Sequence, residues 1–585
     1  MWQAPVSCRG RRVMVLRCAA VLAMLLQFVP GGVAQEVESR PKISTGVTAA
    51  LEAGSFRAGG GGARRFLRGR TATAGVAGAR ALTAARGEHA AMVRAQGVQP
   101  PSALNATWQP VGPGQIASLT YGKISGRVSS IAVDPADASG NTVYVGTTGG
   151  GVWKSTNAAG AADTVKFQPL TDTLPVFSGS AGSAATASLS IGAISAQAGG
   201  IVLAGTGDPN DASDSYYGSG ILRSADGGLT WTLIPGSQDG AYGRHSFIGL
   251  GFAGFAWSTA NPGLVVAAVS QSAEGAIVNA VSASSVMGLY VSNDSGVTWA
   301  IGTILDGTIP VLSPFGGANT GGVAATSVVW NPVRQRFYAA IRYHGYYESA
   351  DGVSWTRLRQ QPGAGLTTVA CPAITGATTS LSCPIFRGAL AVQPVSGDLF
   401  AITTDRHNVD QGLWQDVCAP SGGGCSSSVV SFASRLASGA LEVGGGSSVI
   451  AQADYDLSLA AQPSGADTVL LVGTRDLFRC SLAGGCALRN TTNATNGCAT
   501  PAMVAPNQHA LATVASSGLL FVGNDSGLWR STDGIGEQGA PCSADDANHF
   551  QNLNGGFASL AEVVSLAADP SNGANLLAGL GANGR

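Results

Sequence analysis

Ser224-Ala225-Asp226-Gly227-Gly228-Leu229-Thr230-Trp231 follows the pattern S-x-D-x-G-x-T-W, which predicts a tight turn between two strands. The Ser and Asp oxygens can bond to turn amides, Gly supplies a positive φ, and Trp opens the next strand with a large apolar face. The pattern returns at Ser292–Trp299, and at Ser349–Trp355 with a shifted glycine and Ser in place of Thr. Shorter copies stand at Ser531–Gly534 and Lys154–Asn157. The turn is therefore a repeated unit of structure.

The repeat extends beyond the turn, because a short strand of the type Gly220–Ser224 or Gly288–Ser292 leads into each copy. Five similar lead-ins follow the same plan, and upstream of most copies lie two more apolar strands. A unit of four short strands that recurs at a roughly constant period is typical of a β-propeller. We therefore predict an all-β fold with four-stranded blades. The strands expected for the first blade lie near 129–133, 142–147, 151–155 and 164–170.

Seven complete blades are predicted, followed by part of an eighth; the alternative is that the sequence is a fragment of a longer protein that completes this blade. Val563–Pro570 and Leu576–Gly579 repeat the first two strands of a blade, and no third strand of the G-x-x-x-S type follows them. The propeller is assigned to residues 108–585. The whole chain has 11% charged residues and 83 glycines, a composition that suits many short strands and tight turns.

The first 107 residues differ in kind from the rest. Arginines precede an apolar run at 18–29, and the small residues Gly32-Val33-Ala34 follow, so residues 1–34 are predicted to be a secretory signal peptide, with a buried N-terminal helix as the alternative. The apolar run is too short to span a bilayer. Residues 35–107 are rich in Ala, Gly and Arg and are predicted to be a disordered leader or propeptide. A nucleic-acid-binding arm is the alternative, disfavoured by the export signal, so we expect a secreted or extracytoplasmic protein with no nucleic-acid partner.

Eight cysteines follow residue 34, an even number that favours disulfides in an exported protein. The two repeats that lack the S-x-D turn carry Cys418 with Cys425, and Cys480 with Cys486, where the turn would be. Opposed positions across a hairpin lie within disulfide reach. We therefore predict two hairpin disulfides there, and two further bonds, Cys371–Cys383 and, by elimination, Cys498–Cys542. Metal ligation is the alternative, but the sequence has no C-x-x-C motif.

The turns and their lead-ins resemble the Asp-box (BNR) repeats of sialidases, xyloglucanase-type glycoside hydrolases and sortilin-type receptors. The resemblance covers about residues 108–585. It implies a propeller whose box residues are structural and lie away from the active face. These structural residues are Ser224, Asp226, Gly228, Trp231, Ser292, Asp294, Gly296, Trp299, Ser349, Asp351, Trp355, Ser531 and Asp533.

An active site does not carry over from the resemblance. The sialidase-type opening is replaced by Ile124–Val128, and strand alternation would place Tyr347 and Glu348 on opposite faces. The xyloglucanase-type motif Y-x-R-T-D-x-G-G-x-Y resembles Tyr144–Trp153, where the family's catalytic Asp falls on Thr148. Threonine cannot replace a carboxyl group in glycoside hydrolysis. The sequence therefore favours a non-catalytic propeller that binds a glycan or an extracellular protein on its axial face. The alternative is a xyloglucanase-type glycoside hydrolase that cleaves β-glucans, and a sialidase comes after it.

One loop, Thr206–Tyr217, and two basic positions supply the candidate site residues. The aspartates are the catalytic candidates, and their oxygens also suit Ca²⁺, although the spacing lacks the Gly and closing Glu of an EF-hand. The tyrosines suit stacking on a sugar. The alternative is a polar loop of Asx turns and a set of inter-blade contacts. Apart from this possible Ca²⁺, no cofactor is expected. The catalytic candidates are Asp208, Asp211 and Asp214, and the ligand-binding candidates are Tyr216, Tyr217, Arg244, His245, Arg342 and His344.

Overall fold

The computed structural model describes residues 114–580, except for a set of internal gaps, and a few positions before residue 113. All of them belong to one compact unit, Ile43–Arg585, whereas the other unit, Met1–Lys42, lies outside the described residues. The signal peptide and nearly all of the leader predicted for residues 1–107 therefore stay predictions. The gaps are 173, 175–187, 211–214, 240–244, 272–284, 307, 311–323, 367–370, 372–382, 419, 422–423, 433, 437–438, 443–447, 495–503, 532 and 534–545.

Seven blades of four antiparallel strands follow one another along the chain and form the predicted propeller. We number them blades 1 to 7 and letter the strands A to D in chain order. Strands A are Val128–Val133, Ile191–Gln197, Gly251–Trp257, Ala325–Asn331, Arg387–Val392, Ser458–Ser464 and Gln508–Val514. Strands B are Val143–Thr147, Ile201–Thr206, Val265–Ser270, Arg336–Ile341, Leu399–Thr404, Asp467–Gly473 and Leu519–Asn524.

The outer half of each blade consists of a longer strand C and a short strand D. Strands C are Val152–Ser155, Ile221–Ser224, Gly288–Ser292, Gly345–Ser349, Asp410–Asp416, Leu477–Ser481 and Gly527–Ser531. Strands D are Gln168–Pro169, Thr232–Ile234, Ala300–Ile301, Ser354–Arg357, Ser434–Leu436, Arg489–Asn490 and Phe550–Asn552. The first blade thus matches the strands predicted for it to within a few residues.

Strands A form the inner ring. Each contacts strand A of the next blade, and strand A of blade 7 contacts strand A of blade 1, so the ring closes with seven blades. Buried side chains of neighbouring blades pack together; Trp299 lies between blades 2 and 3, and Trp355 between blades 3 and 4. Apolar residues on both faces of each sheet are therefore buried, as stacked blades require.

Several elements lie outside the seven blades. Their bounds are Ile116–Ser118 with Gly122–Ile124, Thr303–Asp306 with Ile309–Pro310, Pro420–Ser421 with Gly424–Cys425, and Val563–Asp569 with Asn572–Leu580. Thr303–Asp306 pairs in parallel with strand D of blade 4, which gives that sheet six strands. After residue 113 the described helices are the 3-10 turns Gly439–Leu441, Asp546–His549 and Asn554–Gly556. No helix in the described residues is long and apolar enough to cross a membrane.

The partial eighth blade is not confirmed. Both of its predicted strands exist, as Val563–Asp569 and Asn572–Leu580, but they form a separate two-stranded sheet. The ring has no opening for them because blade 7 packs directly on blade 1. A backbone bond from the Ser125 N–H to the Ser526 carbonyl, 2.7 Å long, joins the segment before blade 1 to blade 7.

Three of the four predicted disulfides are present. Cys371–Cys383, Cys418–Cys425 and Cys480–Cys486 have Cα atoms 4.1, 4.7 and 4.7 Å apart. The bond at Cys480 ties strand C of blade 6 to the following turn, and that at Cys418 closes the small hairpin after strand C of blade 5. The fourth prediction, Cys498–Cys542, lies outside the described residues.

Candidate functional site

Several charged residues that flank strands A and B lie together at one end of the inner ring. In each antiparallel blade, strand A begins and strand B ends at the same end. Residues just before strand A and just after strand B therefore meet at this end, close to the axis. We call it the axial end. Arg127 and Asp456 precede strands A, Asp208, Arg342 and Asp525 follow strands B, and Arg387 opens strand A of blade 5.

Arg127 joins three blades at the axial end. Its Nε lies 2.8 Å from Asp525 Oδ1, and its Nη1 lies 3.6 Å from Asp208 Oδ2. Its guanidinium also lies over the ring of Tyr455, 5.2 Å from the centroid. The Arg127 side chain is only 4% exposed, so its charge depends on these carboxylates rather than on water.

Asp525 accepts hydrogen bonds from several directions. Besides Arg127, the Tyr455 hydroxyl donates to it at 2.5 Å and the Asn507 amide at 2.8 Å, and His509 Nε2 lies 2.9 Å away. Burial alone would raise the pKa of Asp525, but the Arg127 charge and the bonds from His509 and Asn507 bring it well below its usual range. Asp525 is therefore ionised at neutral pH.

Asp456 has the opposite character. Its side chain is completely buried, and neither carboxyl oxygen has a hydrogen-bond partner within the described residues. Burial, followed by the nearby charge of Asp525, raises the pKa of Asp456 well above its usual range. Asp456 therefore keeps its proton to a higher pH than an ordinary carboxyl group, whereas Asp525 loses its proton more readily.

Two further arginines extend the axial end towards blades 4 and 5. Arg387 donates to the carbonyls of Asp454 and Leu457, both at 3.0 Å. Arg342 lies over the ring of Phe386, 4.0 Å from the centroid, and donates to the Phe386 carbonyl at 3.1 Å. Both guanidinium groups are thus held in place by backbone acceptors, and Arg342 also by an aromatic face.

The predicted loop of blade 2 contributes Asp208 and the two tyrosines. The Asp208 N–H donates to the Tyr216 carbonyl at 2.9 Å, and Asp208 Oδ1 accepts the Asn210 N–H at 2.9 Å. The rings of Tyr216 and Tyr217 stack at 4.6 Å, with Tyr217 buried and Tyr216 half-buried. Asp211 and Asp214 lie outside the described residues. Where the chain is described, no three His, Cys, Asp or Glu side chains form a group suited to a metal ion, and the Ca²⁺ prediction stays untested.

The other basic candidates are two histidines and Arg244. The buried His245 ring packs edge-on against Tyr290, 6.5 Å between centroids, and Arg244 is outside the described residues. His344 is buried beside Arg357, and burial, followed by that charge, lowers its pKa to about 3. Both histidines are therefore buried, and the ligand-binding role predicted for them stays a prediction.

Thr148 lies in the turn between strands B and C of blade 1, next to the Arg127 backbone. Its N–H donates to the Arg127 carbonyl at 3.4 Å, and the residue is half-buried. The position that resembles the xyloglucanase-type catalytic Asp is thus at the axial end, with a hydroxyl in place of a carboxyl group.

Sequence reasoning missed Asp456, Arg387, Asp525 and His509 as site residues. Each stands within two residues of the inner end of a strand A or B. A charged residue directly beside an apolar strand was the available signal. It does not reveal which blades come together, because Arg127 and Asp525 are 398 residues apart in the chain.

The S-x-D-x-G-x-T-W turns lie between strands C and D, at the end opposite to the axial end. In blade 2, Ser224 Oγ donates to Asp226 at 2.7 Å and accepts the Gly228 N–H at 2.8 Å, while Asp226 accepts the Thr230 N–H at 2.9 Å. The Trp231 indole N–H donates to the Gly228 carbonyl at 3.0 Å. Blades 3 and 4 repeat this set of bonds. The polar side chains of these turns are thus occupied within the turn.

No family model matches the chain, and no curated protein matches it. The similar solved structures include the GH74 xyloglucanase from Xanthomonas campestris, which is 16% identical with a TM-score of 0.46; the match covers 79% of this chain and 59% of that one. An ancestral GH74 enzyme is 16% identical with a TM-score of 0.44, covering 73% of this chain and 46% of that one.

A third similar structure is YCF48 from Cyanidioschyzon merolae, which is 15% identical with a TM-score of 0.37 and is matched over 71% of this chain and 96% of its own. The chain spans about half the length of the two GH74 structures. At these identities and TM-scores the similarity carries no argument about activity, ligand or partner.

Proposed function

We propose that this chain is an exported β-propeller that binds a glycan or an extracellular protein at the axial end and does not hydrolyse it. The observation that carries the proposal is the pairing of buried charges there, with Arg127 held between Asp208 and Asp525. Such a network fixes polar groups in position, which favours the specific recognition of a ligand. Three disulfides agree with an oxidising compartment.

The carboxyl groups at this end are poorly suited to glycoside hydrolysis. That reaction requires an acid and a second carboxylate on opposite sides of the scissile bond. Asp525 is occupied by Arg127, Tyr455 and Asn507, and Asp456 is completely buried, so a sugar cannot reach its oxygens. Thr148 adds no carboxyl group. These three facts favour binding over turnover.

A glycan is the ligand class that the blade 2 loop fits best. Tyr216 is half-buried and stacks on the buried Tyr217, and the Asp208 N–H, which donates to the Tyr216 carbonyl, fixes the loop while the Asp208 side chain itself is buried. An aromatic face beside fixed polar groups is the usual composition of a sugar subsite. A protein ligand would use the same surface and stays the second outcome of the test.

A glycoside hydrolase is the alternative, and one observation favours it. Asp456 has a raised pKa and Asp525 a lowered one, and the two charges interact. Carboxyl groups whose pKa values are driven apart are the usual acid and base of such enzymes. This alternative requires that ligand binding expose Asp456.

The test is to incubate the purified full chain with xyloglucan, other β-glucans and sialosides, and to measure both retention and new reducing ends or free sialic acid. The proposal expects retention without turnover, weakened at least about tenfold by Tyr216→Ala. Leu229→Ala is the control, because Leu229 is 81% exposed at the opposite end of blade 2.

Turnover that disappears in Asp208→Ala or Asp456→Asn would replace the binding proposal with the hydrolase. Absence of both turnover and retention would exclude these glycans and leave a protein ligand. Retention that Tyr216→Ala and Leu229→Ala affect equally would remove the blade 2 loop from the site.

A further inference from the structure

Outside Leu119 and the hairpin of residues 563–580, the exposed large apolar side chains of the described residues lie at the end of the ring opposite to the axial end. In every blade the A–B turn and the C–D connection lie at that end, because strands A and C both run towards it. These side chains belong to four consecutive blades, blades 2 to 5. We call them the apolar arc, whose members are Leu229, Val297, Val353, Val395, Val417 and Val429.

Three members of the apolar arc occupy one position of the repeated turn. Leu229, Val297 and Val353 each stand two residues before the Trp of their turn, in blades 2, 3 and 4. They are 81%, 49% and 43% exposed, whereas the Trp that follows each of them is buried. These copies of the turn therefore direct one apolar side chain inwards and a second one outwards. Apolar surface that recurs on neighbouring blades points to an interaction site, which scattered apolar residues do not.

The turns that carry the apolar arc are held against the preceding blade. In strand C of blade 2, Arg223 Nε donates to the Ser295 carbonyl in the blade 3 turn at 2.8 Å. In blade 4, a Cβ added at Gly352 would come 2.7 Å from Val266 Cγ2 of blade 3, so this turn also packs closely on its neighbour. The apolar arc is therefore a preformed surface, and a preformed surface loses little conformational freedom when a ligand binds.

The exposed charges among these apolar residues are negative. In the described A–B turns and C–D connections of blades 2 to 5, the charged residues that are exposed are Asp226, Asp294 and Asp351, one in each S-x-D turn. Arg334, in the A–B turn of blade 4, is paired with Asp416 at 2.6 Å, and its side chain is only 3% exposed. Carboxylates are ionised at neutral pH. A ligand that complements this surface must therefore be both apolar and basic.

The leader of the same chain contains a segment of this composition. Phe56–Arg70 has five arginines and no Asp or Glu, and its apolar residues include Phe66 and Leu67. The segment is separated by 43 residues from Gly114, where the described propeller begins. A linker of this length can span up to about 140 Å at ~3.3 Å per residue, whereas a seven-residue strand of the ring is about 23 Å long. The segment can therefore reach the end of the ring that carries the apolar arc.

We propose that Phe56–Arg70 docks on the apolar arc, with its apolar side chains on those of blades 2 to 4 and its arginines beside the turn aspartates. A segment of the same chain is favoured over a separate basic partner because its tether holds it at an effective concentration of about millimolar. The contact lies at the end opposite to Asp208 and Arg127. It is therefore independent of the ligand proposed for the axial end.

The experiment replaces Phe66 by the photo-reactive p-benzoyl-phenylalanine in the full chain, irradiates it, and identifies the cross-linked residues by mass spectrometry. The expected result is a cross-link within one chain to residues 225–231, 293–299 or 350–355. Leu229→Lys combined with Val297→Lys removes two apolar contacts and adds like charges, and it should lower the cross-link yield at least about fivefold. Leu119→Lys is the matched control, because it adds the same charge at an exposed leucine outside the apolar arc and leaves the yield unchanged.

The arginines are tested separately, within the leader. Arg64→Gln combined with Arg65→Gln is expected to lower the yield, and so is about 0.5 M NaCl. Arg80→Gln combined with Arg86→Gln is the control, because it removes as many charges from the leader outside the segment and leaves the yield unchanged. Cross-links at the axial end, cross-links between two chains, or no cross-link at all would overturn the proposal. A yield that neither the lysine pair nor the Arg64 and Arg65 pair changes would overturn it as well.

Discussion

His344 is expected to make the stability of the propeller fall as the pH drops below about 6.5. The side chain is buried, and its Nε2 has no hydrogen-bond partner within the described residues. Burial, followed by the Arg357 charge, lowers its pKa to about 3 in the folded chain, against about 6.5 when unfolded. Below pH 6.5 the unfolded state binds a proton that the folded state refuses, so acid favours unfolding.

The size of the effect follows from the two pKa values. At pH 5 the unfolded imidazole is protonated and the folded one is neutral, which costs about 2 kcal/mol relative to pH 7 at about 1.4 kcal/mol per pKa unit. His344→Gln removes the titrating group and with it this loss. His407→Gln is the control, because the His407 side chain is 61% exposed on blade 5.

The assay is urea unfolding of wild type and both variants at pH 7 and pH 5, without reductant so that the disulfides stay closed. Between these pH values the wild type and His407→Gln should each lose about 2 kcal/mol more of the free energy of unfolding than His344→Gln. Equal pH dependence of wild type and His344→Gln would refute the reasoning, because it would mean that the folded imidazole still takes up its proton.

Three other perturbations have definite expected outcomes. Arg127→Ala removes the cation shared by two buried carboxylates and should lower the free energy of unfolding by about 3–5 kcal/mol in urea titrations; a loss below about 1 kcal/mol would mean that the network is solvated. Replacing Cys480 and Cys486 by Ser opens a loop with a sequence separation of 6 and should lower the free energy of unfolding by about 2–3 kcal/mol. An unchanged midpoint of urea unfolding would show that this disulfide does not stabilise the fold. Bonds from the Thr230 hydroxyl and N–H lower the pKa of Asp226 to about 2, so its stabilising effect is present above about pH 4 and is lost as the pH falls through 2. Thermal melts of Asp226→Asn should therefore show a smaller loss of Tm between pH 5 and pH 2 than wild type, and parallel losses would contradict this.

How much of the site could be predicted depended on how far apart its residues lie in the chain. Asp208 and the tyrosines could be proposed from the sequence because they lie in one loop, and Arg342 because a basic residue beside a strand end is conspicuous. Asp456 was missed because its character comes from burial and from the charge of Asp525, a residue of the next blade. Its place beside a strand marks Asp456 as a charged residue at a strand end, but it does not reveal that the carboxyl group is buried.

The sequence by itself determined the features whose partners are close along the chain. The seven blades follow from strands that pair with their immediate successors, and the Cys371–Cys383, Cys418–Cys425 and Cys480–Cys486 bonds join residues no more than 12 apart. The tertiary structure alone decided that the ring closes at blade 7, which left residues 563–580 as a separate hairpin. It also brought Arg127 to Asp525, because only packing of the last blade on the first, a long-range contact that no local pattern encodes, places these two charges 2.8 Å apart.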